Sequence, residues 1–311
     1  MPVSKAAQAL IDARVASGLP EVWEAPLSVI RLNAMAGISG AGVPEKIYRV
    51  EDRYIPGLTA DLPIRIYRPS DKSNLPAMVF FHGGGWVIAT LDSAEQSLRS
   101  IAKKAQCIII SVGYQKAPEH PFPVPFDDCY SGLQWVIENA EDLGINPAQI
   151  GVGGVSAGAN LASGVAIKAR DQKISLAFQV LVVPCNDDTM DYPSAQRNAA
   201  GYNLSTAAMK WFWAQYLQNP ADRKSPYAVP ARATSFAGLA PAIITTSEYD
   251  PLLDDGFNYE ALLNKAGVRT IYRENKGQLH GLINCARDIP EALVLQQYLA
   301  DQINVLLGRS L

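Results

Sequence analysis

Residues 151–160 read GVGGVSAGAN, and within them Gly154-Val155-Ser156-Ala157-Gly158 sets a single hydroxyl among small residues. The stretch follows an apolar run, 149–156, and precedes a helical pattern, 157–171. A sharp strand-to-helix turn at that point holds a serine in a sparsely allowed backbone conformation. It needs minimal side chains two residues either side, and it aims a helix N-terminus at negative charge developing on a bound group. Taken alone, the pattern reads equally as an ordinary tight turn. A second chemical signal lies upstream, where His82-Gly83-Gly84-Gly85 follows the apolar run AMVFF. Consecutive glycines leave bare N–H groups facing a cavity, which is what stabilising a tetrahedral oxyanion requires, with donors about 2.7–3.1 Å from the oxygen. The phosphate-loop alternative fails on spacing, since G-x-x-x-x-G-K-[ST] is absent and G-x-G-x-x-G fits poorly.

A serine hydroxyl is a weak nucleophile at neutral pH and needs a base, which in turn needs a carboxylate to hold its tautomer. The chain has three histidines. His280, in KGQLHGLI, follows the last strand-like run. His120, in APEHPFPVPF, is hemmed in by prolines and reads as structural. His82 reads as a base or as a loop anchor. Asp250 ends PAIITTSEYD just past another strand-like run, with Glu248 and Asp254 as alternatives nearby. The order Ser156, Asp250, His280 is that of the α/β-hydrolase triad. The competing order, His82 or His120 before Asp127 or Asp128 before Ser156, uses aspartates that look helix-starting. Four cysteines, at 107, 129, 185 and 285, form no C-x-x-C pair or Cys/His cluster of zinc spacing. They read as reduced thiols, and neither a metal nor a cofactor is expected.

These residues need a frame, and the hydrophobic pattern supplies one. Continuous apolar runs at 77–85, 107–114, 149–156, 176–184 and 241–250 suit strands buried on both faces of a parallel sheet. Runs at 46–55 and 62–69 alternate like half-exposed antiparallel strands, and 268–275 reads as a strand near an edge. Helical patterns lie between them at 93–105, 126–140, 157–171, 254–266 and 289–307, with Asp127, Asn146 and Asp254 as caps or turn residues. The expected fold is α/β, a mostly parallel eight-stranded sheet flanked by helices, with ligands beyond the carboxyl ends of the strands. The division follows: an N-terminal helical cap segment (1–45), a core (46–187 and 236–311) and a cap insertion (188–235). Residues 1–45 place apolar positions at Ala7, Leu10, Ile11, Val15, Leu27, Ile30 and Leu32 before glycines at 37, 40 and 42. WFWAQYLQNP, 211–220, reads as an aromatic helix ending at Pro220, and aromatic-rich insertions of this kind serve as lids. Tyr202, Trp211, Phe212 and Trp213 are candidates to line a capped pocket, as is Trp86 beside the glycine loop.

The chain has 311 residues, 48% of them hydrophobic, and a net charge of −3. That is enough chain for a sizeable core, and without a basic stripe nucleic acid is not an expected partner. No run reaches the ~18 apolar residues that span a bilayer, and the N-terminus lacks a secretory pattern, so a cytoplasmic protein without membrane contact is expected. The residues alone leave amide or carbamate hydrolysis open beside ester hydrolysis, as they do a non-catalytic ligand receptor on the same scaffold.

Five ordered motifs resemble the hormone-sensitive-lipase-like (bacterial family IV) carboxylesterases of the α/β-hydrolase superfamily: FHGGGW (81–86), YQKAPE (114–119), GVSAG (154–158), DPLLDDG (250–256) and LHG around His280. The resemblance runs from about residue 76 to 285. It implies Ser156 as nucleophile, Asp250 as acid, His280 as base, and Gly83, Gly84 and Ala157 as oxyanion N–H donors. It implies a helical cap, a small ester as substrate and a homodimer. The chain departs from the family pattern at Val155, where Asp or Thr is common, at Gln115-Lys116 in place of Arg-Leu, and at Asp255 in place of Glu.

Overall fold

The computed structural model describes residues 1–309. Two helices open the chain, α1 (Lys5–Ser17) and α2 (Leu27–Ala36). Ser4 caps α1 by accepting from the Ala7 N–H, and Gly18 ends it in the left-handed region at φ 59°. Strands β1 (Arg49–Ile55), β2 (Leu62–Arg68) and β3 (Leu75–Phe81) follow. Alternation then sets in: α3 (Glu95–Ala105), β4 (Ile108–Val112), α4 (Val124–Glu138), β5 (Ile145–Val155), α5 (Ala157–Asp171) and β6 (Gln179–Val182). Helices α6 (Pro193–Arg197) and α7 (Thr206–Tyr216) interrupt it. It resumes with β7 (Ala242–Tyr249), α8 (Leu253–Lys265), β8 (Thr270–Leu279) and α9 (Glu291–Leu306).

The eight strands form one sheet in the order β1-β2-β4-β3-β5-β6-β7-β8. Strand β2 is antiparallel to both neighbours, and every other pairing is parallel. The expected mostly parallel, eight-stranded α/β-hydrolase sheet is therefore present, with β8 at an edge.

The continuous apolar runs have a direct physical origin. In β3, Ala77, Val79 and Phe81 join one buried cluster with α4, α5 and α8, while Met78 and Phe80 join another with α3 and α9. Alternate side chains point to opposite faces, so a strand covered on both sides must be apolar throughout. Each fully buried Val, Ile, Leu or Phe contributes about 1.5–3 kcal/mol.

Local readings need correction at several points. Asp127 and Asp254 do not cap helices. The N-cap positions are Pro123 and Leu252, which places both aspartates in the first turns, and the Asp254 carboxylate accepts from the Ser194 N–H instead. Asn146 is a turn residue as expected, accepting from the Ala148 N–H. Helix α7 stops at Tyr216, short of Pro220, because Leu217 turns out of helical geometry and Pro220 starts a separate 3₁₀ turn. The helical periodicity of the N-terminal segment is present as α1 and α2, in which Val15 and Leu32 are 75% and 66% exposed. Val15 borders open space at a cavity mouth rather than a packed layer.

Candidate active site

The serine turn is built by sterics. Ser156 stands between β5 and α5 at φ 57°, ψ −122°, a conformation that costs a non-glycine residue about 1–3 kcal/mol. The surroundings impose it. A Cβ on Gly154 would lie 2.2 Å from the Gly158 carbonyl, and one on Gly158 would lie 2.0 Å from the Phe81 oxygen. Only glycine lets β3, β5 and α5 approach so closely. The Ser156 N–H donates to the Val182 carbonyl at 2.8 Å, pinning the turn to β6. Gly151 and Gly153 are small for a different reason from strand-against-helix packing. Their missing side chains make room for Phe178, and for Met78 and Val180 from the neighbouring strands.

Sheet register brings the other two groups together. Tyr249 of β7 pairs with Leu279 of parallel β8, so Asp250 and His280 leave adjacent strand ends side by side. His280 Nδ1 lies 2.7 Å from Asp250 Oδ2, and its Nε2 lies 3.0 Å from Ser156 Oγ. The second Asp250 oxygen accepts from the Leu252 N–H at 2.9 Å. A carboxylate can only accept, so Nδ1 carries the proton and Nε2 faces the hydroxyl as an acceptor.

The alternatives are occupied elsewhere. Glu248 accepts from the N-terminal ammonium and from the Gly277 N–H, each at 2.7 Å. His120 is exposed. Asp128 is buried and accepts from the Gln115 N–H at 2.8 Å. His82 is an anchor: its Nδ1 donates to the Gly83 carbonyl at 2.8 Å, and its ring stacks on Tyr114 with centroids 4.3 Å apart. Burial pushes the His82 pKa down to about 4, so the ring is neutral at physiological pH.

The glycine loop is tied through its carbonyls. The Tyr114 hydroxyl donates to the His82 carbonyl at 2.8 Å, and the Gly84 carbonyl accepts from the Val87 and Ile88 N–H groups. Among the described residues, the N–H groups of Gly83, Gly84 and Ala157 donate to no protein acceptor. Gly84 sits at φ 100°, and a Cβ there would lie 2.5 Å from the Ile88 oxygen. A Cβ on Gly85 would lie 2.2 Å from the Phe212 ring.

Ser156, His280, Gly84 and Gly85 border a cavity of about 580 Å³. Its apolar walls come from α1, through Leu10, Ile11 and Val15, and from the 188–235 stretch, through Leu204, Met209 and Phe212. Tyr202 also lies on the wall. Trp86 and Trp211 do not. Trp86 is fully buried, at φ 61°, stacked on Tyr216 at 4.4 Å and packed against Trp213, itself a core residue. Trp211 packs edge-on against Phe212 outside the cavity lining. An aromatic beside a glycine loop fits a pocket or a core equally well, and here the turn at Trp86 directs it into the core. Sequence reading missed two asparagines: Asn198, which donates to the Glu248 and Asp250 carbonyls, and Asn203, which donates to the His280 carbonyl. A lone Asn in a polar stretch carries no local signal of such a role.

Among the described residues no group of three or more His, Cys, Asp or Glu is placed to hold a metal ion, and no helix is long and apolar enough to cross a membrane. The four cysteines are free thiols.

A sequence model of the alpha/beta hydrolase fold matches residues 78–284. The chain is 39% identical over 251 residues to carboxylesterase NlhH of Mycobacterium tuberculosis (strain ATCC 25618 / H37Rv), covering 78% of each protein. It is 36% identical over 236 residues to an ethyl acetate hydrolase of Pseudomonas putida, covering 74% of each. Among solved structures, a hyperthermophilic esterase from the archaeon Pyrobaculum calidifontis superposes with a TM-score of 0.92 at 34% identity, over 99% of both chains.

Proposed function

The chain belongs to the α/β-hydrolase family, within its hormone-sensitive-lipase-like carboxylesterases, and is a carboxylic ester hydrolase; on that premise we propose that Ser156, His280 and Asp250 perform the reaction. The observation that carries the assignment is the chain of contacts at the cavity floor, from Ser156 Oγ to His280 Nε2 at 3.0 Å and from His280 Nδ1 to Asp250 Oδ2 at 2.7 Å.

Ser156 Oγ attacks the ester carbonyl carbon while His280 Nε2 takes its proton. The negative oxygen of the tetrahedral intermediate is held by the N–H groups of Gly83, Gly84 and Ala157, with the N-terminus of α5 behind it. Asp250 stabilises the imidazolium and keeps its orientation. His280 then protonates the departing alkoxide, leaving an acyl group on Ser156. Water attacks that acyl group with His280 again as base, and the carboxylic acid leaves as Ser156 regains its proton.

Residues 1–45 and 188–235 together act as the cap over this site, supported by the cavity walls they contribute. Small, fairly apolar, short- to medium-chain esters are the substrates. The cavity's size and apolar lining support this, as does the relative named for ethyl acetate. A cytoplasmic location and a homodimer belong to the same proposal. Free thiols support the first. The second is supported by exposed Phe257, Leu293 and Val294, which flank the open edge at β8.

The test is hydrolysis of p-nitrophenyl esters of increasing acyl length by wild type and Ser156→Ala. Wild type turns over, and the variant loses roughly 10⁴-fold or more in kcat while keeping its circular dichroism spectrum. Turnover retained by the alanine variant refutes the assignment.

A further inference from the structure

The stretch carrying α6 and α7 is fastened to the acid-bearing loop. The Ser194 hydroxyl donates to the Pro251 carbonyl at 2.9 Å and accepts from the Asp254 N–H at 3.0 Å. The Asp254 carboxylate accepts in return from the Ser194 N–H at 2.7 Å. Asn198, immediately after α6 and only 2% exposed, donates from Nδ2 to two carbonyls, Glu248 and Asp250, each at 3.0 Å. Glu248 lies within the irregular step of β7, where the β7–β8 register shifts between Ser247 and Tyr249, and Asp250 directly follows the strand.

We infer that Asn198 is a positioning residue for Asp250: its amide holds the 248–250 backbone in the one placement that brings the carboxylate to His280. The inference rests on reading Asp250 as the acid. Both Asp250 carboxylate oxygens are engaged, one by His280 and the other by the Leu252 N–H, and the residue is fully buried. Among the described residues the carboxylate bonds only the Leu252 N–H and His280, both beside it, so a displaced backbone displaces the carboxylate with it. The Asp250 carbonyl also accepts from the Leu253 N–H at 3.2 Å, so removing the Asn198 amide leaves that carbonyl one of its two donors and frees the 248–250 backbone to shift. Thr206, at the start of the helix that carries Met209 and Phe212 of the cavity wall, donates from Oγ1 to the Ala195 carbonyl of α6 at 2.6 Å, which ties that helix to the element Asn198 follows. Asn203 makes a comparable bond to the His280 carbonyl at 3.0 Å, but it is exposed, and water can replace it.

The test compares Asn198→Leu, which keeps the branched shape and removes the donor, with Asn198→Ser, which is smaller and keeps one donor. Both are measured on p-nitrophenyl butyrate, and the rate at which a p-nitrophenyl phosphonate labels Ser156 is followed in parallel. Asn198→Leu lowers kcat and the labelling rate by roughly 10- to 100-fold, the scale expected when a reacting group shifts by about 1 Å. KM stays within about twofold, because substrate contacts are unchanged. Asn198→Ser loses less, and it carries the test if the leucine variant does not fold. An unchanged kcat in folded Asn198→Leu, or in Asn198→Ser where the leucine variant does not fold, overturns the inference, as does a rise in KM at constant kcat. Asp250→Asn runs alongside. If it keeps wild-type kcat, the reading of the site itself has failed. If it loses activity while the Asn198 variants keep theirs, only the role of Asn198 has failed.

Discussion

At the scale of single residues, His82 shows how a chemically capable group is taken out of the chemistry. Of the three histidines, His280 meets a carboxylate and the serine, His120 faces solvent, and His82 is buried and committed to the Gly83 carbonyl. Burial holds its pKa near 4 against an ordinary 6.5. The sign of the resulting pH dependence follows. Between those two values the unfolded chain binds a proton at this residue and the folded chain does not, so stability falls as pH falls through that window. The loss is at most about 3 kcal/mol and is complete near the lower value. Urea unfolding of His82→Gln across the same pH range should give a shallower decline of unfolding free energy than wild type. Equal slopes would show that His82 is not the residue responsible.

At the scale of elements, α7 joins two sites. Phe212 touches Gly85 in the glycine loop, where a Cβ would meet its ring at 2.2 Å, and it also lines the cavity. In the proposed site, with the acyl chain beside the loop, its volume sets the chain length that fits. Replacing it with alanine should move the preference toward longer chains. The ratio of kcat/KM for octanoate over butyrate should rise by roughly fourfold per methylene accommodated, since each buried CH₂ contributes about 0.8 kcal/mol. The melting temperature should fall, because truncating a buried Phe costs about 3–5 kcal/mol. An unchanged chain-length profile in the folded variant would remove Phe212 from the pocket's determinants. The contrast with Trp86 is instructive. Both aromatics lie near the glycine loop, but Trp86 stacks on Tyr216 beneath it while Phe212 borders open space.

At the scale of the whole molecule, the N-terminal segment is held at both ends and packs over the cavity between them. At one end the Met1 ammonium meets Glu248, and the Ser4 N–H donates to the Gly277 carbonyl at 2.9 Å. At the other, Arg31 donates to the Val87 and Ala117 carbonyls and makes a bidentate pair with Glu119 at 2.7 and 2.8 Å. Lys116 adds a bond to the Ala89 carbonyl at 2.7 Å, which accounts for a lysine at that point in the YQKAPE motif. Losing the Arg31 bonds removes about 1–2 kcal/mol of restraint, equivalent to roughly a 5- to 30-fold change in an opening equilibrium. Arg31→Ala should therefore speed amide exchange in 5–36 while the sheet stays protected, as measured by hydrogen-exchange mass spectrometry. Unchanged exchange there would mean that the segment is held by its apolar contacts alone.

What the sequence determined by itself was what short-range physics encodes. The glycines around Ser156 and in residues 83–85 are required by clashes within a few residues or between adjacent strands, so the motif announces the geometry. The apolar runs follow from strands covered on both faces, and they mark the sheet and the strand ends where Ser156, Asp250 and His280 lie. Tertiary structure alone decided the rest. It put the Asp250 carboxylate, and not Glu248 or Asp254, against His280 through the pairing of Tyr249 with Leu279, while the other two carboxylates found partners elsewhere. It placed Trp86 in the core and Val15 at a cavity mouth. It brought Asn198 to carbonyls about fifty residues away. Side-chain amides and aromatic rings have no periodicity that names their partners, and those partners exist only once the chain has packed.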